Sequence, residues 1–482
     1  MSENEWVPSK VSATPLHRQI YEFIKQKIEN GEWTVGTKIP PQRDLASRFN
    51  VNRSTIVFAL DELAADGLIE SRVGKGTFVI NNTWSLLTSA PPPNWSSYVE
   101  SGAYYPNIQT IQYINIAESK PDTIRLGTGE LSPELLPTEQ TKELFQSKQS
   151  SHFTLGYSEP KGNFFLREMI SLHLQSKGID ASPSSILIVS GGLKGLQLIS
   201  LGLLHRGSAI FQESPSYLNS VHVFQSAGMN LLSIPMDREG MVTHSIGRLK
   251  KSFNGALLYT IPSFQNPTGR VMSARRRMEL LKICQNEQIP IIEDDVYGDL
   301  WFENPPPNPL KSLDNQGLVL YMGSMSKTLG PGFRIGWVVG PEPVINRLSD
   351  IKMQTDYGSS SLSQFTVAEW LSNERYTAYL QKIRKDLKYR RDFTVQILNK
   401  HFMDLATWDF PEGGYYVWLK INPQISTEKL FKKALKEGIL LNPGYIYDRN
   451  DHKHIRISYS FASLHQLEKG LKRIAELIRD LS

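Results

Sequence analysis

Leu16, Ile20, Ile24 and Ile28 recur every four residues, which predicts an amphipathic helix with one apolar stripe. Thr14-Pro15 marks its start, since threonine can cap and proline fits the first helical position. Asn30-Gly31 marks its end. A second short helix is predicted from near Pro41, with Leu45 and Phe49 inward. After a turn at Asn50-Val51-Asn52, a third runs from about Arg53 to Asp66, with Ile56, Leu60 and Leu63 on one face and Gly67 closing it. Leu68–Arg72 and Thr77–Ile80 read as strands of a hairpin around Val73-Gly74-Lys75-Gly76. Three helices and a hairpin form a winged helix-turn-helix pattern. Periodicity alone fits a small helical docking domain equally well.

The pattern then breaks. Residues 81–94, NNTWSLLTSAPPPN, are polar and end in three prolines, as a linker with a stiff end does. From Trp95 onward, short apolar runs alternate with amphipathic stretches; examples are Ile186–Val189, Ala256–Thr260, Ile289–Ile292 and Val319–Met322. That alternation predicts an α/β domain with a mostly parallel sheet. The expected organisation is therefore a domain over 1–80, a linker over 81–94 and a large domain over 95–482.

Composition narrows the class. Of 482 residues, 40% are hydrophobic and 21% charged, which excludes a disordered, collagen-like or coiled-coil chain. The single cysteine, Cys284, excludes a disulfide framework and a Cys-rich zinc module, and fits a reducing cytoplasm. MSENEWVPSK carries two acids and no apolar core, unlike a secretory signal. Ile186–Leu204 contains Lys194 and four glycines, so it falls short of a membrane helix, and no membrane partner is expected. The net charge of +5 says little, because residues 1–80 hold ten bases and ten acids. Position is more telling. Between Gly36 and Phe58 stand Lys38, Arg43, Arg48 and Arg53 against Asp44 alone, where the second and third helices would meet a duplex.

The stretch IPPQRDLASRFNVNRSTIVFALDELAADGLIESRVGKGTFV resembles the DNA-binding domain of the GntR family of bacterial regulators. The resemblance implies that Arg43, Arg53, Ser54, Thr55, Lys75 and Gly76 contact double-stranded DNA. It departs from the family pattern at Pro41, where a phosphate-binding serine is common, and at Val57-Phe58, where bases are common.

Four segments of the large domain carry chemistry. Ser190-Gly191-Gly192-Leu193-Lys194 sits between a strand and a helix, where backbone N–H groups can meet an anion. Asn266-Pro267-Thr268-Gly269 is a turn after a strand. Glu293-Asp294-Asp295-Val296-Tyr297 places acids where parallel strands face a ligand crevice. A metal site is the competing reading there, but no histidine lies nearby. Ser324-Met325-Ser326-Lys327 follows another strand, with Arg334 seven residues on; a desolvated lysine is a nucleophile toward aldehydes. Pyridoxal 5′-phosphate (PLP) would use all four segments.

From Asp122 onward the chain resembles the fold-type-I aminotransferases, particularly the aminoadipate and kynurenine branch. The resemblance implies that Lys327 is the Schiff-base lysine and that Asp294 pairs with the ring nitrogen. Asn266 and Tyr297 would hold the phenolic oxygen, and Tyr217 would stack on the ring. Gly192, Leu193, Ser324 and Arg334 would hold the phosphate, with Tyr157 reaching that of a neighbouring subunit. Arg456 would grip a substrate carboxylate. A GntR-like domain joined to an aminotransferase-like one resembles the MocR-type regulators. That implies a homodimeric, cytoplasmic, PLP-dependent transcription regulator, bound to an operator with repeated half-sites and responsive to PLP or a small amino compound. The alternative is an active aminotransferase with a DNA-binding appendage.

Overall fold

The computed structural model describes residues 6–81, 95–102, 104, 106–146, 154, 156–253 and 255–482. From residue 82 on, the expected linker lies outside the described residues. The chain forms two compact units, residues 1–104 and 105–482.

The first unit contains α1 (Leu16–Glu29), α2 (Gln42–Arg48), α3 (Arg53–Ala65), β1 (Ile69–Arg72), β2 (Gly76–Val79) and α4 (Trp95–Ser101). The predicted stripe is the core: Ile20, Ile24 and Ile28 of α1 are buried with Leu45 of α2 and Ile56, Leu60 and Leu63 of α3. Leu16 is only half-buried at the helix start. Thr14 does not cap α1. Pro15 is the residue before the helix, and Thr14 instead offers its backbone carbonyl to Gln19 Nε2 at 2.6 Å. The antiparallel hairpin pairs Ile69 with Val79 and Arg72 with Gly76. Gly74 and Gly76 have φ of +72° and +109°, conformations that disfavour a side chain. Leu63→Ala removes a fully buried side chain and is expected to cost this unit about 2–5 kcal/mol, read as faster hydrogen exchange across α1–α3.

The second unit begins with α5 (Gln109–Glu118), β3 (Ile124–Arg125), α6 (Thr138–Gln146) and α7 (Phe164–Gln175). Its central sheet comprises β4 (Ile186–Val189), β5 (Ala209–Ser214), β6 (Asn230–Asp237), β7 (Gly240–Met241), β8 (Gly255–Thr260), β9 (Ile291–Asp294), β10 (Val319–Ser324) and β11 (Gly336–Val339). Helix α8 (Gly192–Gly202) follows β4. The strand order is β4-β11-β10-β9-β8-β5-β6-β7, and β7 and β11 alone run against the others. A strand expected over 289–292 runs from Ile291 to Asp294 instead. Ile289 is held in the preceding turn, its N–H bonded to Cys284, and Pro290 has no N–H to give. Glu293 and Asp294 therefore lie within β9, opposite Tyr321 and Met322. β10 likewise reaches Ser324.

A second, antiparallel sheet contains β12 (Ala406–Trp408), β13 (Tyr416–Ile421), β15 (Asn442–Pro443) and β16 (His454–Ser458), while β14 (Ile439–Leu440) pairs with β3. Among the described residues no helix is long and apolar enough to cross a membrane.

Candidate functional site

Topology explains why distant segments meet. β4, β5, β8, β9 and β10 all end at one edge of the central sheet, and the reversed β11 begins there. Ligands of open α/β sheets occupy the crevice at that edge. A cavity of about 420 Å³ lies here.

One end suits a phosphate. Gly192 and Leu193 open α8 and line the cavity, so their N–H groups stand at a helix start. At Gly191 φ is +88°, and an added Cβ would lie 2.5 Å from Arg334 Nη2. Arg334 donates from Nη2 to the Ser190 carbonyl at 2.9 Å, which holds the guanidinium against this turn. Ser324 is buried and accepts from the Ser326 N–H at 3.1 Å. Ser326 Oγ is buried without a partner.

The other end suits a cationic ring. Asp294 is 5% exposed. Its Oδ2 accepts from Tyr259 Oη at 2.7 Å, and its Oδ1 has no partner. Burial and the nearby carboxylate push the Tyr259 phenol well above its ordinary value, so it remains a donor. Burial pushes Asp294 up to about 6, against the hydrogen bond from Tyr259. An unpartnered buried carboxylate oxygen is costly, and a ring N–H cation would relieve it. Tyr217 lines the same space.

Lys327 lies between the two ends. Its Nζ donates to the Gly129 carbonyl at 2.7 Å and sits 5.8 Å from the Tyr297 ring centre. Tyr297 Oη and Tyr416 Oη are hydrogen-bonded at 2.9 Å. Asn266 Oδ1 accepts from Arg456 Nη1 at 2.7 Å, and Arg456 Nη2 donates to the Gly127 carbonyl at 2.6 Å. The Arg456 guanidinium also lies 4.0 Å from the Tyr416 ring centre. These groups together fit PLP: an anion cradle, a carboxylate with a free oxygen, and one lysine near both. Tyr157 does not join them. It is 82% exposed and packs edge-on against Tyr357, outside the cavity of its own chain.

The three neighbouring acids diverge, which argues against a shared metal. Glu293 accepts from the Leu310 and Lys311 N–H groups at 2.7 and 2.8 Å. Asp295 Oδ2 pairs with Lys177 at 3.1 Å. Lys177 also pairs with Asp299 at 3.1 Å, and His173 stands 3.3 Å from Asp299. Burial would raise Asp299, but Lys177 and His173 hold it well below the carboxylate range.

Sequence reasoning missed several neighbours. Tyr259 stands next to the end of β8 in an otherwise apolar run, an identifiable position. Glu213 is fully buried and accepts from Thr260 Oγ1 at 2.5 Å and from Gln265 Nε2 at 3.2 Å, which fixes the loop carrying Asn266. Burial pushes it up to about 7. Tyr416, Glu118 and Thr128 reach the cavity from outside the four motifs.

The carboxyl of Asp294 gives a pH prediction. In the free protein it takes a proton as the pH falls through about 6, and the neutral acid no longer attracts a protonated ring. PLP affinity should therefore drop below about pH 6, and Asp294→Asn should remove that part of the profile. Asp295→Asn should instead lower stability, by about 1–3 kcal/mol, because Lys177 loses one of its two acidic partners and keeps Asp299. Superimposable pH profiles for wild type and Asp294→Asn contradict the assignment.

In the first unit, Arg43, Arg53, Ser54, Lys75 and Gly76 are exposed and Thr55 is half-buried. Arg53 opens α3, and its Nε and Nη2 donate to Gln42 Oε1 at 3.1 and 2.9 Å. Lys75 lies in the turn of the hairpin, its N–H bonded to the Arg72 carbonyl. An added Cβ on Gly76 would lie 2.7 Å from Lys38 Cε, so Lys38 lies against the hairpin beside Lys75.

Residues 121–474 match the family described as aminotransferase class I and II, and residues 16–79 match the bacterial regulatory proteins of the gntR family. The chain is 55% identical over 481 residues to the uncharacterized HTH-type transcriptional regulator YisV of Bacillus subtilis (strain 168), spanning 100% of this chain and 99% of that one. It is 38% identical to the HTH-type transcriptional regulator NorG of Staphylococcus aureus (strain N315), over 92% of this chain and 99% of that one. Among solved structures, the multiple substrate aminotransferase of Thermococcus profundus matches with a TM-score of 0.73 and 27% identity, over 80% of this chain and 99% of that one. A gntR-type helix-turn-helix, the fold of PLP-dependent aminotransferases behind it, and regulators alike along their whole length place the chain in the MocR-type branch of the GntR family of transcription regulators.

Proposed function

We propose that this regulator holds PLP in the large unit and uses that site to control how its winged helices bind DNA. The observation that carries the reading is the buried, unpartnered Asp294 Oδ1, lining one cavity with Lys327 in a chain that also carries a helix-turn-helix. PLP bound there supplies an electrophilic aldehyde carbon and an electron-accepting ring. Lys327 is the residue for covalent attachment, and Asp294 keeps the ring nitrogen protonated. Asn266 and Tyr297 orient the phenolic oxygen, Tyr217 covers the ring, and Gly192, Leu193, Ser324 and Arg334 hold the phosphate. Arg456 receives the carboxylate of a small amino compound, the effector if PLP itself is not.

Arg53, Ser54 and Thr55 present the start of α3 to base edges. Arg43 meets the backbone, and Lys75 and Gly76 bring the hairpin to the phosphates. The protein acts in the cytoplasm as a homodimer in which Tyr157 completes the neighbouring phosphate site, and the operator carries repeated half-sites. The DNA-binding domain is assigned to 1–80, the linker to 81–94 and the PLP domain to 95–482.

Lys327, Asp294 and the anion cradle line one cavity, as an aminotransferase would also require, so an active enzyme is the reading to be tested against. The test pairs a mobility-shift series on the gene's own upstream DNA with steady-state turnover of amino donors and keto acids. A specific shift without sustained turnover is expected. Sustained turnover with no specific shift at any salt overturns the regulator reading.

A further inference from the structure

The cavity carries more charge than this reading uses, and the surplus is negative. Its cations are Lys327, Arg334 and Arg456, each already with a task. Its anions are Asp294, Glu118 and Glu130, of which the two glutamates have none. Glu118 is the last residue of α5, whose Ile111 and Ile114 form an apolar stretch of the cavity wall. One oxygen of Glu118 is fixed by Thr128 Oγ1, which donates to it at 2.7 Å. Among the described residues neither glutamate forms an ion pair.

Arg456 is equally open. Its hydrogen-bond partners, Asn266 Oδ1 and the Gly127 carbonyl, are neutral, as are the rings of Tyr416 and Tyr447 beside it, and the Glu118 carboxylate acts on it only at longer range, as the weakest of its electrostatic neighbours. The side chain is 5% exposed, yet its Nε has no partner. A buried guanidinium with a free N–H and, among the described residues, no ion-pair partner suits an incoming carboxylate. With the carboxylate there and the amine near Lys327, the rest of the ligand can lie against the part of the cavity wall that Ile111, Ile114 and Glu118 supply.

We propose that this wall is a subsite for a distal cation. The effector is an amino acid whose aliphatic side chain ends in a positive charge, which Glu118 receives while Glu130 adds to the negative field. The inference rests on the proposal that an amino compound enters this cavity. A ligand with a distal carboxylate meets two like charges and no cation free to pair with it, so its desolvation goes uncompensated.

Three five-carbon probes test the subsite: L-ornithine, L-norvaline and L-glutamate, titrated into the PLP-loaded full-length protein while the cofactor absorbance band is followed. L-Ornithine should half-saturate the change at about one-tenth the concentration of L-norvaline, as a charge-assisted hydrogen bond provides. L-Glutamate should be weakest. Glu118→Gln should collapse the ornithine-to-norvaline ratio, Glu118→Asp should retain part of it, and Glu130→Gln should lower it less. Borohydride fixation of the cofactor at Lys327 in each variant shows that the site is still built. Equal response to ornithine and norvaline, tightest response to glutamate, or an ornithine preference that survives Glu118→Gln overturns the subsite and leaves the amino-compound reading standing. If no probe moves the band, the amino-compound reading falls and the subsite with it.

Discussion

Lys327→Ala is expected to abolish the covalent link to PLP while leaving the phosphate cradle able to bind the cofactor reversibly. Lys327 lines the cavity, and its Nζ is held by the Gly129 carbonyl at 2.7 Å rather than by an acid. Two other lysines, one half-buried and one fully buried, are natural controls. Lys177 is locked to Asp295 and Asp299, and these charges, outweighing burial, hold it well above the ordinary lysine value, so it stays protonated. Lys352 is fully buried and lowered by that burial, which raises the fraction of its amine that is neutral and nucleophilic. It lies outside the cavity, however, with its Nζ near the Pro160 carbonyl. Borohydride reduction followed by peptide mapping should therefore label Lys327 in wild type and no lysine in Lys327→Ala. Arg334, the α8 amides and Ser324 are untouched by the substitution, so reversible binding should persist. Label on Lys352 would mean that desolvation, not placement, selects the lysine.

Arg53→Ala should weaken specific DNA binding by about 1–3 kcal/mol, or roughly 5- to 150-fold, and relax sequence choice. Gln42 Oε1 buttresses the guanidinium through Nε and Nη2, which positions a long side chain at the start of α3. Lys75→Ala should behave differently. If the exposed Lys75 at the hairpin turn meets phosphate, its loss should weaken binding similarly on all sequences and reduce the salt slope by about one unit. A mobility-shift series across salt, on operator and scrambled DNA, separates the two. An Arg53→Ala variant that weakens both DNAs equally would assign Arg53 to the backbone.

The parts of the fold legible in sequence were those with local signals. The α1 stripe of Ile20, Ile24 and Ile28 follows helical spacing because one face packs on α3, and the hairpin shows in its glycines because φ is positive there. Thr14 was misread as a cap because both threonine and proline signal helix starts, and the chain used Pro15 as the boundary. The displaced β9 reflects a conflict that sequence alone does not resolve: an apolar run starting at Ile289 contains a proline, and the ladder begins only after it. In the cavity, the strand-end motifs were visible because parallel topology delivers every strand end to one edge. Groups that arrive from elsewhere were not. Glu118 comes from a helix that precedes the sheet altogether, and although resemblance names both Arg456 and Asn266, nothing local shows that they meet across 190 residues. Tyr259 looked like strand filling, because only its partner, Asp294, reveals that its hydroxyl is used.

The central claim is that chemistry at Lys327 governs DNA binding, and one measurement tests it directly. The affinity of the PLP-loaded protein for its own upstream DNA is measured with and without an amino compound that shifts the cofactor band, in wild type and in Lys327→Ala. A coupled site predicts a change of about 5- to 150-fold in wild type and none in the variant. Identical DNA affinity with and without the compound in wild type, at concentrations that fully shift the band, would contradict the account.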